Sequence, residues 1–269
     1  VAAGEAQCCS LLTPFADDPD RSVVIVDFDG SLAPIVADPA AAAPLPDAAG
    51  VLARLVRRAG RVAVVSGRPV DFLRDALPVE GLVVFGQYGV ERFEGGAVSL
   101  VPEARAWTAA VRAAADEAEA ALPGLLVERK GDVGVALHWR QRADLEADAA
   151  ALGRTLAARH RLRLEPGRRA LELRPPVAVD KGTATRELAA GAHAALVIGD
   201  DRGDVEAFVA LRRLVEERRL GHAVRVAVRS AETPDELVRH CDVEVDGPQG
   251  ALRFLERLAA ALRGQSSRS

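Results

Sequence analysis

Two aspartates two residues apart, Asp27 and Asp29, close a short apolar run at residues 22–26 and are followed at once by Gly30. A carboxylate at the tip of a strand can attack phosphorus in line and form an acyl phosphate that water later hydrolyses. A second carboxylate two residues on leaves the strand on the same side, where it can protonate the departing sugar oxygen and then deprotonate the attacking water. Three further polar groups recur at comparable places. Ser66 follows the apolar run 61–65, Lys181 opens a helical pattern, and Asp200, Asp201 and Asp204 follow the apolar run 195–198. Ser66 offers a hydroxyl to a phosphate, and Lys181 a compact charge that can neutralise both the phosphoryl group and Asp27. Carboxylates crowded together repel and need a cation to ionise jointly. A site made only of oxygen ligands points to Mg²⁺ among Asp27, Asp29, Asp200, Asp201 and Asp204, with the backbone carbonyl of Asp29 free to coordinate it. Taken singly, each aspartate reads as a turn or capping residue and Lys181 as a solvated charge. Their joint placement at strand ends makes the chemical reading the stronger one.

The elements that must position these groups follow from the hydrophobic pattern. The runs 22–26, 61–65 and 82–85 are short and, after Ser22 and Arg61, wholly apolar, as strands buried on both faces of a parallel sheet are. Helices alternate with them; one is expected from about Asp47, capped by Asp47 and ended by Gly60. The rhythm then changes. A hairpin turn is expected at Glu94-Gly95-Gly96, a helix over 103–122, strands over 125–129 and 133–139, a helix over 143–160, and a hairpin turn at Pro166-Gly167 before a strand over 170–174. From Asp180 the α/β alternation resumes. The fold class is therefore α/β: a Rossmann-like parallel-sheet core, residues 1–92 and 175–269, with an inserted α+β cap of antiparallel sheet and two helices, residues 93–174.

Composition excludes other classes. The chain has 269 residues and a net charge of −4 with no basic block, so nucleic acid is not an expected partner. No apolar run is long enough to span a bilayer, and the acidic first 20 residues do not read as a secretory signal. The three cysteines form no disulfide or zinc pattern and read as reduced thiols, so a cytoplasmic monomer is expected, with Cys241 packing as a small apolar residue. Of 35 basic residues only Lys130 and Lys181 are lysine, which singles both out. His160, His193, His222 and His240 belong to no motif, Trp107 is expected to pack in a core, and a mobile tail is expected over 264–269.

The segment Asp27-Phe28-Asp29-Gly30-Ser31-Leu32 resembles the first motif of the haloacid dehalogenase-like superfamily. Ser66, Lys181 and Gly199-Asp200-Asp201-Arg202-Gly203-Asp204 resemble its second, third and fourth. An Asp at the second place of the first motif is the pattern of phosphatases and phosphomutases. A narrower likeness covers nearly the whole chain. Residues 27–35 (DFDGSLAPI), Ser66-Gly67-Arg68, Gly89-Val90-Glu91, His138-Trp139-Arg140, Leu171-Glu172-Leu173-Arg174-Pro175 and Asp180-Lys181-Gly182 resemble the trehalose-6-phosphate phosphatases. The resemblance implies Mg²⁺-dependent release of phosphate from trehalose 6-phosphate through an aspartyl-phosphate. It further implies that Lys130, His138 and Glu172 face the sugar from the cap, with Arg68 reaching it from the core. Glu91 is expected to orient either the hinge or the sugar. The sequence departs from the family at Ser31, Phe28 and in the fourth motif, which leaves Asp201 and Asp204 as alternatives beside Asp200. Rival readings are another sugar-phosphate phosphatase, a phosphohexomutase of the same superfamily, and a catalytically silent regulatory module, which would require a lost catalytic residue.

Overall fold

The structure, a computed structural model, describes residues 5–36, 38–167 and 169–263, with side chains from residue 10 onward. The thiols of Cys8 and Cys9 and the tail 264–269 lie outside the described residues. The chain divides into two compact units, one holding the chain up to Val98 and from Val179 onward, the other Ser99–Ala178.

The first unit begins with α1 (Glu5–Asp17), β1 (Ser22–Val26), α2 (Ala48–Val56), β2 (Arg61–Val65), α3 (Val70–Ala76), β3 (Val83–Gly86) and β4 (Glu91–Glu94), and β5 (Ala97–Leu100) runs across the boundary. The second contains α4 (Pro102–Arg105), α5 (Thr108–Ala121), β6 (Leu126–Arg129), β7 (Val135–His138), α6 (Glu146–His160), β8 (Arg163–Gly167) and β9 (Ala170–Arg174). The chain then returns to the first through α7 (Lys181–Leu188), β10 (Ala194–Gly199), α8 (Gly203–Glu216), β11 (His222–Arg229), α9 (Asp235–His240), β12 (Val243–Asp246) and α10 (Gly247–Ala261).

The larger sheet has the order β12-β11-β10-β1-β2-β3-β4-β5, parallel from β12 to β3. Strand order reverses at β1, which lies between β2 and β10. In open α/β sheets this reversal opens the crevice where ligands bind, beyond the carboxyl ends of the strands. Every residue of β1 is buried. Alternation divides them between two cores. Val24 and Val26 pack with α1, α2, α3 and α10, while Val23 and Ile25 pack with α7, α8 and α9. The last β1 residue, Val26, pairs with Ile198, and the Asp27 N–H continues the ladder to the Ile198 carbonyl at 3.0 Å. The tips of β1 and β10 are thus level, and their aspartates emerge side by side.

The second unit is a four-stranded antiparallel sheet, β6-β7-β9-β8. Val135, Leu137 and Trp139, with Leu171 and Leu173, face α5 and α6, forming this unit's own core; Trp107 packs against it. The opposite face carries Glu128, Ala136, His138, Glu172 and Arg174 by the same alternation.

Several local expectations are corrected. The hairpin turning at Gly95-Gly96 belongs to the large sheet, because β4 pairs antiparallel with β3 (Val84↔Phe93, Gly86↔Glu91) and Phe93 packs on the core. Residues 93–98 therefore lie in the first unit, and the second runs to Ala178. The helix expected over 103–122 is broken at Trp107, whose N–H bonds to the Ala104 carbonyl in a tight turn. Asp47 precedes α2 but makes no side-chain cap, and α2 ends at Val56, before Gly60. A Cβ on Gly60 would lie 1.9 Å from the Asp20 carbonyl oxygen, so this glycine serves a close backbone approach instead. Pro166 and Gly167 sit within β8, and the turn comes after them.

Candidate active site

The loop after β1 is wound tightly around one carbonyl. The Phe28 oxygen accepts the N–H groups of Ser31, Leu32 and Ala33, while Gly30 donates to the Ala33 carbonyl at 2.7 Å. Gly30 has φ +80°, and a Cβ there would lie 2.1 Å from Asp200 Oδ2. Only glycine lets the Asp200 carboxylate rest against this loop. Gly199 repeats the device across the crevice, since its Cβ would fall 2.2 Å from the Asp204 carboxyl carbon.

Lys181 is the first residue of α7, whose N-terminus is fixed by a capping box between Asp180 and Thr183. Its ammonium is buried, 2.8 Å from Asp27 Oδ1, 2.7 Å from Asp204 Oδ1 and 3.8 Å from Asp201 Oδ1. The other Asp204 oxygen accepts the N–H groups of Asp200 and Asp201 at 3.0 and 3.1 Å. Asp204 therefore braces both Lys181 and the loop that carries Asp200. Asp201 accepts the Gly203 N–H at 2.8 Å and is more exposed.

The electrostatics follow from this crowding. Burial pushes the Asp27 carboxyl up to about 8, with Lys181 opposing and the charges of Asp201 and Asp200 reinforcing the rise. Burial likewise holds Asp204 well above the carboxylate range. Desolvation works against the Lys181 charge, but Asp204, Asp27 and Asp201 more than offset it and leave the ammonium more basic than usual. Carboxyl oxygens of Asp27, Asp200 and Asp204 lie within 4.8 Å of one another. Such a convergence of buried, oxygen-only ligands beside a glycine cradle suits a hard divalent cation. Asp29 and Asp201 lie outside this triplet of carboxylates.

Ser66 is buried at the end of β2, its Oγ accepting the Arg68 N–H at 3.2 Å. Arg68, expected to contact the sugar, grips Asp29 in two bonds of 2.8 and 2.7 Å. Glu91 takes the N–H of Val70 at 2.8 Å, at the start of α3 and just past the Ser66–Arg68 turn. This bond supports the backbone just past the site's turn, which is neither of the two expected roles.

On the helix-free face of the second unit's sheet, Lys130 and Glu172 form a buried ion pair of 2.5 Å. His138 donates a ring N–H to Glu128 at 2.7 Å, since a carboxylate can only accept. Ala136 lies directly opposite Glu172, and Ala170 opposite His138, so small side chains leave room beside both polar groups.

Two residues escaped the sequence reading. Glu128, two positions before Lys130 on the same strand face, was legible from period-two alternation. Tyr88, the chain's single tyrosine, packs so closely on the Ser66–Arg68 turn that a Cβ on Gly67 would lie 2.7 Å from its ring. Gln87 and Tyr88 both hold φ near +50 to +60° (51° and 61°), a costly backbone for non-glycine residues. Among the unassigned histidines, His160 bonds Glu117 and His222 bonds the Leu11 carbonyl. Cys241 packs half-buried against the α7/α8/α9 core.

Comparison with known proteins agrees with this geometry. The sequence pattern of the trehalose-phosphatase family matches residues 25–239. A trehalose-phosphate phosphatase of Mycolicibacterium paratuberculosis is 34% identical over 255 residues, covering 90% of this chain; the chain spans only 63% of that relative's length. The C-terminal domain of C. albicans trehalose-6-phosphate phosphatase superposes with a TM-score of 0.74 at 22% identity, over 94% of this chain and 97% of that one. A haloacid dehalogenase-like hydrolase from Bacteroides thetaiotaomicron shares the fold at a TM-score of 0.56 and 15% identity, over 88% and 99% of the two chains. With its four aspartates and one lysine gathered where the parallel sheet reverses, and with the family pattern running through both units, the chain belongs to the trehalose-phosphatase family.

Proposed function

We propose that this protein hydrolyses trehalose 6-phosphate to trehalose and phosphate through an aspartyl-phosphate on Asp27. The observation that carries the reading is the buried Asp27 carboxylate, held 2.8 Å from Lys181 at the strand-order reversal of a trehalose-phosphatase-family chain. In the first step an Asp27 oxygen bonds to phosphorus while the bond from phosphorus to the sugar oxygen breaks. The sugar oxygen keeps the electron pair and takes a proton from Asp29. In the second, water loses a proton to the Asp29 carboxylate and attacks the acyl phosphate, freeing Asp27 and inorganic phosphate. Ser66 donates to a phosphate oxygen, and the Lys181 ammonium offsets charge on both phosphate and Asp27. Asp27, Asp200 and the Asp29 backbone carbonyl would hold Mg²⁺, ringed by the charge of Asp201 and Asp204. Such an ion supplies charge neutralisation and orientation of the phosphate.

Lys130, His138 and Glu172 fit the sugar-reading role: three charged or polar groups share one sheet face, Lys130 and Glu172 oriented by their mutual ion pair and His138 by its hydrogen bond to Glu128. A disaccharide is recognised through its hydroxyls, which need such fixed partners. No helix among the described residues is long and apolar enough to cross a membrane, and the reading includes a cytoplasmic enzyme acting on a small molecule.

Phosphate release from trehalose 6-phosphate, sucrose 6-phosphate, glucose 6-phosphate and para-nitrophenyl phosphate, with Mg²⁺ and with EDTA, tests the assignment. The expected result is a preference for trehalose 6-phosphate of about a hundredfold or more in kcat/KM over the other sugar phosphates, abolished by EDTA. Equal or greater activity on sucrose 6-phosphate would reassign the substrate. Phosphoryl transfer from a hexose bisphosphate back to a hexose would reassign the reaction.

A further inference from the structure

The guanidinium of Arg68 is held at three of its nitrogens, and the chemistry above does not use it. Its Nε and Nη2 each donate to a different oxygen of Asp29, at 2.8 and 2.7 Å, and its Nη1 donates to the Pro39 carbonyl at 2.6 Å. The planar group lies over the Phe72 ring, 4.7 Å from its centroid, and Phe72 in turn meets Phe28 edge-on at 5.6 Å. Phe28 separates the two aspartates of the first motif. The backbone of Arg68 is fixed as well, its N–H on Ser66 Oγ and its carbonyl on the Gln87 N–H. The pair is lopsided: the Arg68 side chain is 10% exposed and that of Asp29 31%. The buried fork is the fixed member, and the carboxylate reaching toward solvent is the one being held.

We propose that Arg68 is a positioning residue that acts through Asp29, fixing the orientation of the carboxylate that moves the proton, and is not a contact to the sugar. This rests on the phosphatase reading, since it presumes that Asp29 exchanges a proton with the leaving group and with water. A free aspartate side chain turns about two bonds. A two-pronged guanidinium removes both freedoms at once, which a lysine ammonium cannot do. Proton transfer demands a donor within hydrogen-bond reach and correctly aimed, and an error of about 1 Å costs on the order of a hundredfold in rate. The same guanidinium ties the loop at Pro39 to the Ser66–Arg68 turn, so the two segments beside the nucleophile share one anchor.

The test is a double-mutant cycle on the full chain with saturating Mg²⁺, using Arg68→Lys, Arg68→Gln, Asp29→Asn and the combined variants. Trehalose 6-phosphate has a poor leaving group and needs the proton; para-nitrophenyl phosphate does not. Arg68→Lys and Arg68→Gln should each lower kcat on trehalose 6-phosphate by about ten- to a hundredfold with KM within about threefold, and change the aryl phosphate rate by less than about threefold. In the Asp29→Asn background the same changes should have less than about a twofold effect, because Arg68 then has no proton carrier to aim. A raised KM at unchanged kcat, or losses that multiply in the Asp29→Asn background, would make Arg68 a substrate contact and overturn the proposal. Equal losses on both phosphates would also overturn it. Melting curves identify any variant that fails to fold, and the conservative lysine variant then carries the cycle. If the wild type cleaves para-nitrophenyl phosphate but not trehalose 6-phosphate, the substrate assignment fails alone, and the cycle is read with glucose 6-phosphate, whose leaving group is also an alkoxide.

Discussion

At the scale of single residues, the site is organised around a shortage of positive charge. Asp27, Asp200, Asp201 and Asp204 gather about one ammonium, and burial denies water to all but Asp201. The proton affinity of Asp27, pushed up to about 8 by burial foremost, has a consequence for stability. The folded state holds a proton that the unfolded chain releases above about pH 4, so the stabilisation present below that pH is lost as pH rises through the folded value. Metal-free protein should therefore weaken between about pH 4 and pH 8. Asp27→Asn removes the charge and keeps the shape. In EDTA at pH 8 its melting temperature should exceed that of the wild type by a few degrees, equivalent to ~1–2 kcal/mol, and the gap should shrink toward pH 5. If Asp27 is the proposed nucleophile, turnover should fall by at least about a thousandfold. A lower melting temperature than the wild type in EDTA at pH 8 would refute the charge-crowding account.

At the scale of elements, the site depends on turns that only particular residues can make. The loop after β1 presses its Gly30 against Asp200, in a backbone conformation open to glycine and nearly closed to alanine. Gly30→Ala should cost about 2–4 kcal/mol, from the positive φ together with the clash. It should also displace the Asp200 carboxylate, so the rise in melting temperature on adding Mg²⁺ should shrink along with the baseline. Thermal melts with and without Mg²⁺ separate the two effects. An unchanged Mg²⁺ increment would mean that Asp200 does not hold the ion. The helix termini matter in the same way: the Asp180–Thr183 box places Lys181 at the first position of α7, where its long side chain reaches back over the strand tips.

At the scale of the molecule, the chain forms two units, the first with a core on each face of its sheet and the second with a core of its own. Under the proposed function the first performs the chemistry. If the second reads the sugar, damage to its polar face should be invisible to a substrate without one. Glu172→Gln, Lys130→Ala and His138→Ala should each cost about ten- to a hundredfold in kcat/KM on trehalose 6-phosphate, and less than about twofold on para-nitrophenyl phosphate. Glu128→Gln should mimic the His138 variant in milder form, because it loosens the ring that Glu128 orients. Parallel losses on both phosphates would show that this face does not discriminate substrates.

What was legible in the amino-acid sequence is what local pattern encodes. The apolar run 23–26 before Asp27-Phe28-Asp29-Gly30 reads as a strand buried on both faces, and alternation with helices makes the sheet parallel. Asp180 and Thr183 announce the start of α7, because a side-chain cap is a contact between near neighbours. Period two sets His138 apart from Leu137 and Trp139 on one strand and Glu172 apart from Leu171 and Leu173 on another, but that the two share a sheet face follows from the pairing of β7 with β9. The tertiary structure decided what depends on approach between distant segments. A hairpin's own pattern does not say which sheet it will join; the free edge of β3 settled that for β4 and β5. Neither does the sequence record that the Arg68 fork closes on Asp29, that His138 is held by Glu128, or that Tyr88 lies against Gly67. The two acidic candidates of the fourth motif are equivalent on paper. They separate only when the first turn of α8 swings Asp204 beneath the Asp200 backbone and onto Lys181, leaving Asp201 at the rim.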